Sequence, residues 1–281
     1  LGTSNFVVSL GTTPVTVTNL QPDLQYGITL FEYNGTGDAS NYLITGFPST
    51  VVRTIATEPT IQASNIVVSS ITNNSCTVNC TPGNGQWRLV VMRKDNPVSF
   101  IPQDSMMYQG GSQNIAFGTG INLGGNTYVL NYATPIFVTN LTPNTVYHIA
   151  AFEFNGFVFN ANYLTTSIPT ALFSTSPTTP TIQASNLSVS NITATTASTT
   201  CTSGNGSNRL FVIRAGSPVV NNPVDGVDYT ANSAFGLGSN IGNNSFVIGK
   251  QQPVNITGLT ASVTYYIKVF EFNGVGFSTR Y

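Results

Sequence analysis

Apolar and polar residues alternate with a period of two in short runs along this chain. The stretches "YGITLFEY" (26–33), "YHIAAFEF" (147–154) and "YYIKVFEF" (265–272) alternate in this way. "FVVSL" (6–10), "TYVLNY" (127–132) and "SFVIGK" (245–250) are short and rich in β-branched and aromatic residues. That period belongs to half-buried β-strands. Gly-Asn, Asn-Gly and Pro punctuate the runs at intervals of roughly 8–12 residues, and Thr, Gly and Asn leave no amphipathic helical window. The pattern predicts an all-β chain of short antiparallel strands, of the kind that fold into sandwiches.

The runs repeat. "FEYNG" at 31–35 returns as "FEFNG" at 152–156 and 270–274, and these copies hold three of the chain's four glutamates. "PTIQASN" at 59–65 recurs at 180–186, and "GNGQWRLVVMR" (83–93) recurs as "GNGSNRLFVIR" (204–214). "AFGTGINLGGNTYVL" and "AFGLGSNIGNNSFVI" follow in the same order. A fixed long period marks a repeat architecture. Three domains are expected: 1–57, matching only the second half of the unit; 58–178, a complete unit; and 179–281, a unit lacking its last strand. On this reading the sequence is a fragment of a longer array.

The spacing L-x-P-x-x-x-Y occurs as Leu20–Pro22–Tyr26 and Leu141–Pro143–Tyr147, and as Leu259–Tyr265 with Ala261 in place of Pro. It resembles the tyrosine corner of fibronectin type III domains, and the resemblance spans the chain. It implies that Tyr26, Tyr147 and Tyr265 each open the sixth strand of a sandwich and bond back to nearby backbone through the hydroxyl. The "GNG…RLVV.R", "FG.G" and "FEYNG…NYL" segments look like a variant found in large secreted proteins of Bacteroidota, with an insertion between the third and fifth strands at 94–127. The family's usual core Trp in the second strand is missing. Cys80 and Cys201 stand in its place, and are expected as reduced, buried thiols of the inter-sheet core.

Charge narrows the range of partners. Charged residues make up 7% of the chain and the net charge is −1, against about 25% charged in ordinary domains. Nothing here suggests a nucleic-acid partner. No apolar run approaches the ~20 residues that cross a bilayer, so membrane insertion is not expected. The surface must be made of hydroxyls and amides, suited to packing against neighbouring domains or other copies of itself.

Candidate chemistry is sparse, and no cofactor or metal is expected. Cys76 and Cys80 lie about 13 Å apart along a strand at ~3.3 Å per residue, too far for a disulfide. His148 is the only histidine and has Gly27 and Tyr266 at the equivalent repeat positions. Asp225 and Asp228 in "PVDGVDY" are few for a calcium ion that takes six to eight oxygens, and the equivalent "PQDSMMY" keeps Asp104 but has Met107 in place of the second carboxylate. "GNG" lacks the Lys and helix of a phosphate loop. Asp104-Ser105-Met106 is similar to an O-glycosylation sequon of Bacteroidota secreted proteins. Sequons such as Asn140-Leu-Thr and Asn191-Ile-Thr are what an Asn- and Thr-rich chain makes by chance. Trp87, Tyr108 and Phe159 are aromatics able to stack on sugar rings, although Asn208 replaces Trp87 in the next repeat.

The recurrent glutamate has a structural reading. Glu153 shares a strand face with Tyr147, and in the fold that the resemblance implies the third strand, beginning at "WRLVV", neighbours the sixth antiparallel, which sets Arg88 beside Glu153 and Arg209 beside Glu271. A lone buried carboxylate is costly unless paired. Acid–base catalysis needs a second carboxylate or a His close by, and no copy supplies one consistently. The sequence therefore suggests a non-enzymatic, extracellular or cell-surface array acting as a structural or adhesive stalk or fibre. The alternatives are a carbohydrate-binding accessory module of a secreted enzyme, with glycans as partners, or a phage or virion fibre component.

Overall fold

The period-two runs form strands whose polar punctuation closes the turns between them. The computed structural model describes residues 5–11, 14–108 and 114–281. These fall into two units: 1–69 with 76–140 and 147–173, and 70–75 with 141–146 and 174–281. No helix among the described residues is long and apolar enough to cross a membrane.

The central repeat is a two-sheet sandwich. One sheet has the order Ser64–Ser69, Cys76–Thr81, Ile136–Thr139, Asn114–Ala116, with the last strand parallel to its neighbour. The other runs Asn162–Tyr163, Val146–Asn155, Trp87–Lys94, Thr127–Asn131, and Thr170–Ser174 also pairs with Val146–Asn155. The last repeat has the same plan, with Ser185–Ser190, Ala197–Thr202 and Val254–Ile256 in one sheet and Phe246–Gly249, Asn208–Ala215 and Tyr265–Phe272 in the other. At the N-terminal end, Gln25–Thr29 pairs with Ser49–Arg53 and Tyr33–Asn34 with Asn41–Tyr42. The fold class is a tandem fibronectin type III-like β-sandwich.

Each of the two fuller repeats buries more than the space between its sheets. In the last repeat Phe211, Ile213, Ile248, Val254 and Ile256 form the inter-sheet core. Leu210, Val212, Val247, Phe270 and Phe272, on the opposite face of the same strands, form a second core beneath Val219, Tyr229, Ala231, Ile241 and Tyr281. The central repeat does the same: Leu89, Val91, Ala150, Phe152 and Phe154 are enclosed by Val98, Phe100, Tyr108 and Leu123 of the 94–127 segment. The insertion thus roofs the sheet's outer face. Alternation alone assigns Phe152 and Phe154 to the face away from Glu153, yet both are wholly buried. At 1.5–3 kcal/mol for each large apolar side chain removed from water, roughly, this second layer is a major source of stability.

Two expectations need correction. Cys76 and Cys80 are buried free thiols, but Cys201 is also free and only partly covered. Its Sγ lies 3.1 Å from Gln252 Oε1, and the same oxygen accepts from the Cys201 backbone N at 2.7 Å. It still packs against the inter-sheet core of the last repeat. Tyr108, expected among the exposed aromatics, is half-buried: it packs edge-on to Phe100 at 5.1 Å, and its hydroxyl accepts from Gln103 N at 3.0 Å.

Candidate functional site

The repeated signatures converge on one buried carboxylate. Antiparallel register places Glu153 opposite Arg88, and Glu271 opposite Arg209. Arg88 Nε donates to Glu153 Oε1 at 2.7 Å, and Arg209 Nε donates to Glu271 Oε1 at 3.0 Å. Both carboxylates are wholly buried, and the arginine side chains are 12% and 13% exposed. Gly83 N and Gly85 N add bonds of 3.1 and 3.0 Å to the two oxygens of Glu153. Gly204 N and Gly206 N repeat these distances at Glu271.

The Gly-Asn-Gly turn is therefore a cradle. A Cβ on Gly85 would lie 2.7 Å from Glu153 Oε2, and one on Gly83 would lie 2.1 Å from the Ile61 carbonyl. Only glycine lets the backbone approach both so closely. The middle residue fixes the turn: Asn84 Oδ1 accepts from Thr60 N and Ile61 N at 3.0 and 2.9 Å. Asn205 does the same with Thr181 N and Ile182 N. Gln62 of "PTIQ" completes the arrangement by accepting from Glu153 N at 2.7 Å, as Gln183 does from Glu271 N at 2.9 Å.

The asparagine after the glutamate reaches the linker. Asn155 Oδ1 accepts from Gln86 N at 2.8 Å while its Nδ2 donates to the Thr57 carbonyl at 2.8 Å. Asn273 Oδ1 accepts from Ser207 N at 2.8 Å and its Nδ2 donates to the Thr178 carbonyl at 2.9 Å. One network thus ties strand, turn and linker together twice over. In the N-terminal segment Glu32 is exposed and has no ion-pair partner among the described residues.

This arrangement anchors strand to turn. The two Glu153 oxygens are taken by three donors, and the side chain is wholly buried. The tyrosine hydroxyls act in the same structural way: Tyr26 accepts from Gln21 N at 2.8 Å and Tyr265 from Thr260 N at 2.9 Å. Tyr147 is wholly buried and stacks on Phe173 at 5.6 Å.

The remaining candidates are dispersed. Asp104 Oδ1 accepts from Tyr163 N at 2.9 Å, and Asp225 Oδ1 from Tyr281 N at 2.8 Å. Asp228 pairs with Lys250, whose bond holds its carboxyl below the usual range. Among the described residues no three His, Cys, Asp or Glu side chains converge as a metal site would require. His148 is half-buried beside Pro97, Val98 and Leu172. Trp87 is 44% exposed and tilts against Phe157 at 6.0 Å, while Phe159 is 81% exposed. The sequon residue Asn140 uses its Nδ2 on the Phe117 carbonyl at 3.0 Å, whereas Asn191 and Ser105 are exposed.

Sequence reasoning found the carboxylate and its arginine but missed the two glycine amides, the glutamine and the linker bond. The signal was present, because "PTIQ", "GNG" and "FEFNG" recur together.

No family model and no curated protein matches the chain. Solved structures that resemble it include a two-domain fibronectin type III segment of chicken tenascin, at 13% identity and TM-score 0.34, covering 78% of this chain and 95% of that one. The three-domain FN1–FN3 segment of chicken CNTN1 is similar at 16% identity and TM-score 0.30, covering 92% and 75%. Domains d3–d4 of the rat CD45 extracellular region give 18% identity and TM-score 0.25, covering 60% and 76%. The strand order carries the fold class.

Proposed function

We propose that the chain is a segment of a non-enzymatic array of sandwich repeats, working outside the cell or on its surface as a structural or adhesive stalk or fibre. The observation that carries this reading is the joint. Asn155 and Asn273 each spend a side-chain donor on the carbonyl of the preceding linker, directly beside the enclosed carboxylate. The side chains that recur most faithfully are thus committed to holding strand, turn and linker together. A chain in which only 7% of residues are charged supports the same reading, since it is poorly suited to steering charged ligands. The resemblance of the motifs to repeats of secreted Bacteroidota proteins suggests a bacterial surface setting, with a virion appendage as the alternative.

The test is single-molecule pulling of the chain between molecular handles, together with a glycan array. We expect discrete, repeated unfolding events and no saturable glycan binding. Glycan binding that Phe159→Ala abolishes, or hydrolysis of any oligosaccharide, would overturn the array reading in favour of an accessory module.

A further inference from the structure

In an Asn-Gly pair the asparagine side-chain amide is open to attack by the next backbone nitrogen, because glycine puts no Cβ in the way. Four of the chain's five Asn-Gly pairs lie in the two fuller repeats, at 84–85, 155–156, 205–206 and 273–274. Attack needs a free N–H on the glycine and a polarised carbonyl on the asparagine. The structure withholds the first from three of the four pairs. Gly85 N and Gly206 N each donate at 3.0 Å to a wholly buried carboxylate, Glu153 or Glu271. Gly156 is buried, and its N donates to Gln86 Oε1 at 3.0 Å.

Asn273 differs on both counts. Ser207 stands where the central repeat has Gln86. Among the described residues no acceptor lies on Gly274 N, and Gly274 is partly open to solvent. The Ser207 hydroxyl turns to the side-chain carbonyl instead. Asn273 Oδ1 accepts from Ser207 N at 2.8 Å and from Ser207 Oγ at 2.6 Å. Asn155 Oδ1 has one donor among the described residues, Gln86 N. Two donors on the Asn273 oxygen are placed as in an oxyanion hole. They polarise the amide and hold the negative charge that develops on that oxygen under attack.

We propose that Asn273 is a self-modification site, converted through Gly274 to aspartate or isoaspartate, and that the conversion frees the linker before the last repeat. The Gly274 N–H gives its proton to solvent, and the nitrogen bonds to Asn273 Cγ. The resulting oxyanion rests on Ser207 N and Oγ. It collapses with loss of Nδ2 as ammonia and leaves a cyclic succinimide. Water then opens the ring at either carbonyl, so one water is consumed and one ammonia released. The carboxylate product has acceptors only. The bond from Asn273 Nδ2 to the Thr178 carbonyl, 2.9 Å in the intact chain, therefore cannot re-form. Asn155, which holds the Thr57 carbonyl in the same manner, stays intact. The modification stands on Ser207 and Gly274 alone, while the release rests on the joint of the array reading.

The experiment stores the 281-residue chain in mildly alkaline buffer and follows each Asn-Gly pair by peptide mapping, with electron-transfer fragmentation to separate isoaspartate from aspartate. We expect Asn273 to convert about tenfold faster than Asn84, Asn155 or Asn205. Exchanging the flanking residues should move the site. Ser207→Gln, which installs the central repeat's amide, should slow Asn273 about tenfold, and Gln86→Ser should speed Asn155 by roughly as much. Both side chains are exposed, so neither exchange disturbs the folded repeat. The converted chain should be nicked near residues 177–180 as fast as an Asn273→Ala variant. Equal rates at Asn273 and Asn155, or an Asn273 rate unmoved by Ser207→Gln, would overturn the modification. A converted chain nicked as slowly as fresh protein, beside an Asn273→Ala variant nicked faster, would overturn the release and leave the array reading standing.

Discussion

Glu271 sits in a wall where its own neighbours decide what a substitution costs. Glu271→Gln keeps the shape but removes the charge opposite Arg209, which is almost wholly covered. Breaking one partner of a buried pair costs about 3–5 kcal/mol, since the other charge remains desolvated. Gly206→Ala should destabilise by about 1–3 kcal/mol, because the added Cβ would lie 2.8 Å from Glu271 Oε2. Urea titrations of both variants check this; a loss within error of zero for either would show that the cradle is dispensable. The thiols separate by environment as well. Burial pushes the Cys76 thiol from its ordinary 9.0 up to about 12, and it has no hydrogen-bond partner among the described residues. It is neutral in both folded and unfolded chains below pH 9. Between pH 9 and 12 only the unfolded chain ionises it, so its contribution to stability is lost as pH climbs through that window. Burial also raises the Cys201 thiol, with Arg209 opposing, but its partial exposure predicts alkylation well before Cys76 in the folded protein. Mass mapping of iodoacetamide labelling at pH 8 reads the order directly. Cys201→Ser retains Gln252 as an acceptor and should cost under about 1 kcal/mol.

At the scale of elements, the strands were legible and the roof over them was not. Alternation in "YYIKVFEF" correctly places Tyr265, Ile267 and Glu271 on one face. It gives no warning that Phe270 and Phe272 on the other are buried too. The clue lay in the neighbouring strand, where Leu210–Ile213 is an unbroken apolar run, the signature of a strand covered on both faces. What covers it is a stretch of Gly, Asn, Ser and Pro, whose few apolar residues have no period to read. The hydrogen bonds of the cradle were hidden for a related reason. They run from backbone amides, which every residue has, and only the glycines betray them. Phe152→Ala should therefore cost about 3–5 kcal/mol, as for a central core phenylalanine, although its strand position alternates with Glu153. Chemical denaturation of this variant beside Ile149→Ala checks the claim. A cost below about 1 kcal/mol would mean that the insertion is a loose cover and not a second core.

For the whole molecule, the joints are where residue chemistry meets the array. Four ion pairs join described residues, and two of them, Arg53–Asp23 and Lys250–Asp228, lie at the surface. Surface pairs contribute little and are screened by salt, whereas buried pairs are screened much less. Stability should thus hardly change with ionic strength. The linker depends instead on neutral hydrogen bonds from Asn155 and Asn273. Asn273→Ala removes the donor to the Thr178 carbonyl and the acceptor of Ser207 N, at about 0.5–1.5 kcal/mol for each bond. The carboxylate cradle one turn away remains intact, so the sandwich itself should stay folded. The expected result is faster proteolytic nicking near residues 177–180 at an almost unchanged thermal midpoint, because local opening and global unfolding draw on different contacts. Identical nicking rates in the variant and the parent chain would show that the Asn-to-linker bond does not hold the joint, and would remove the observation on which the array reading rests.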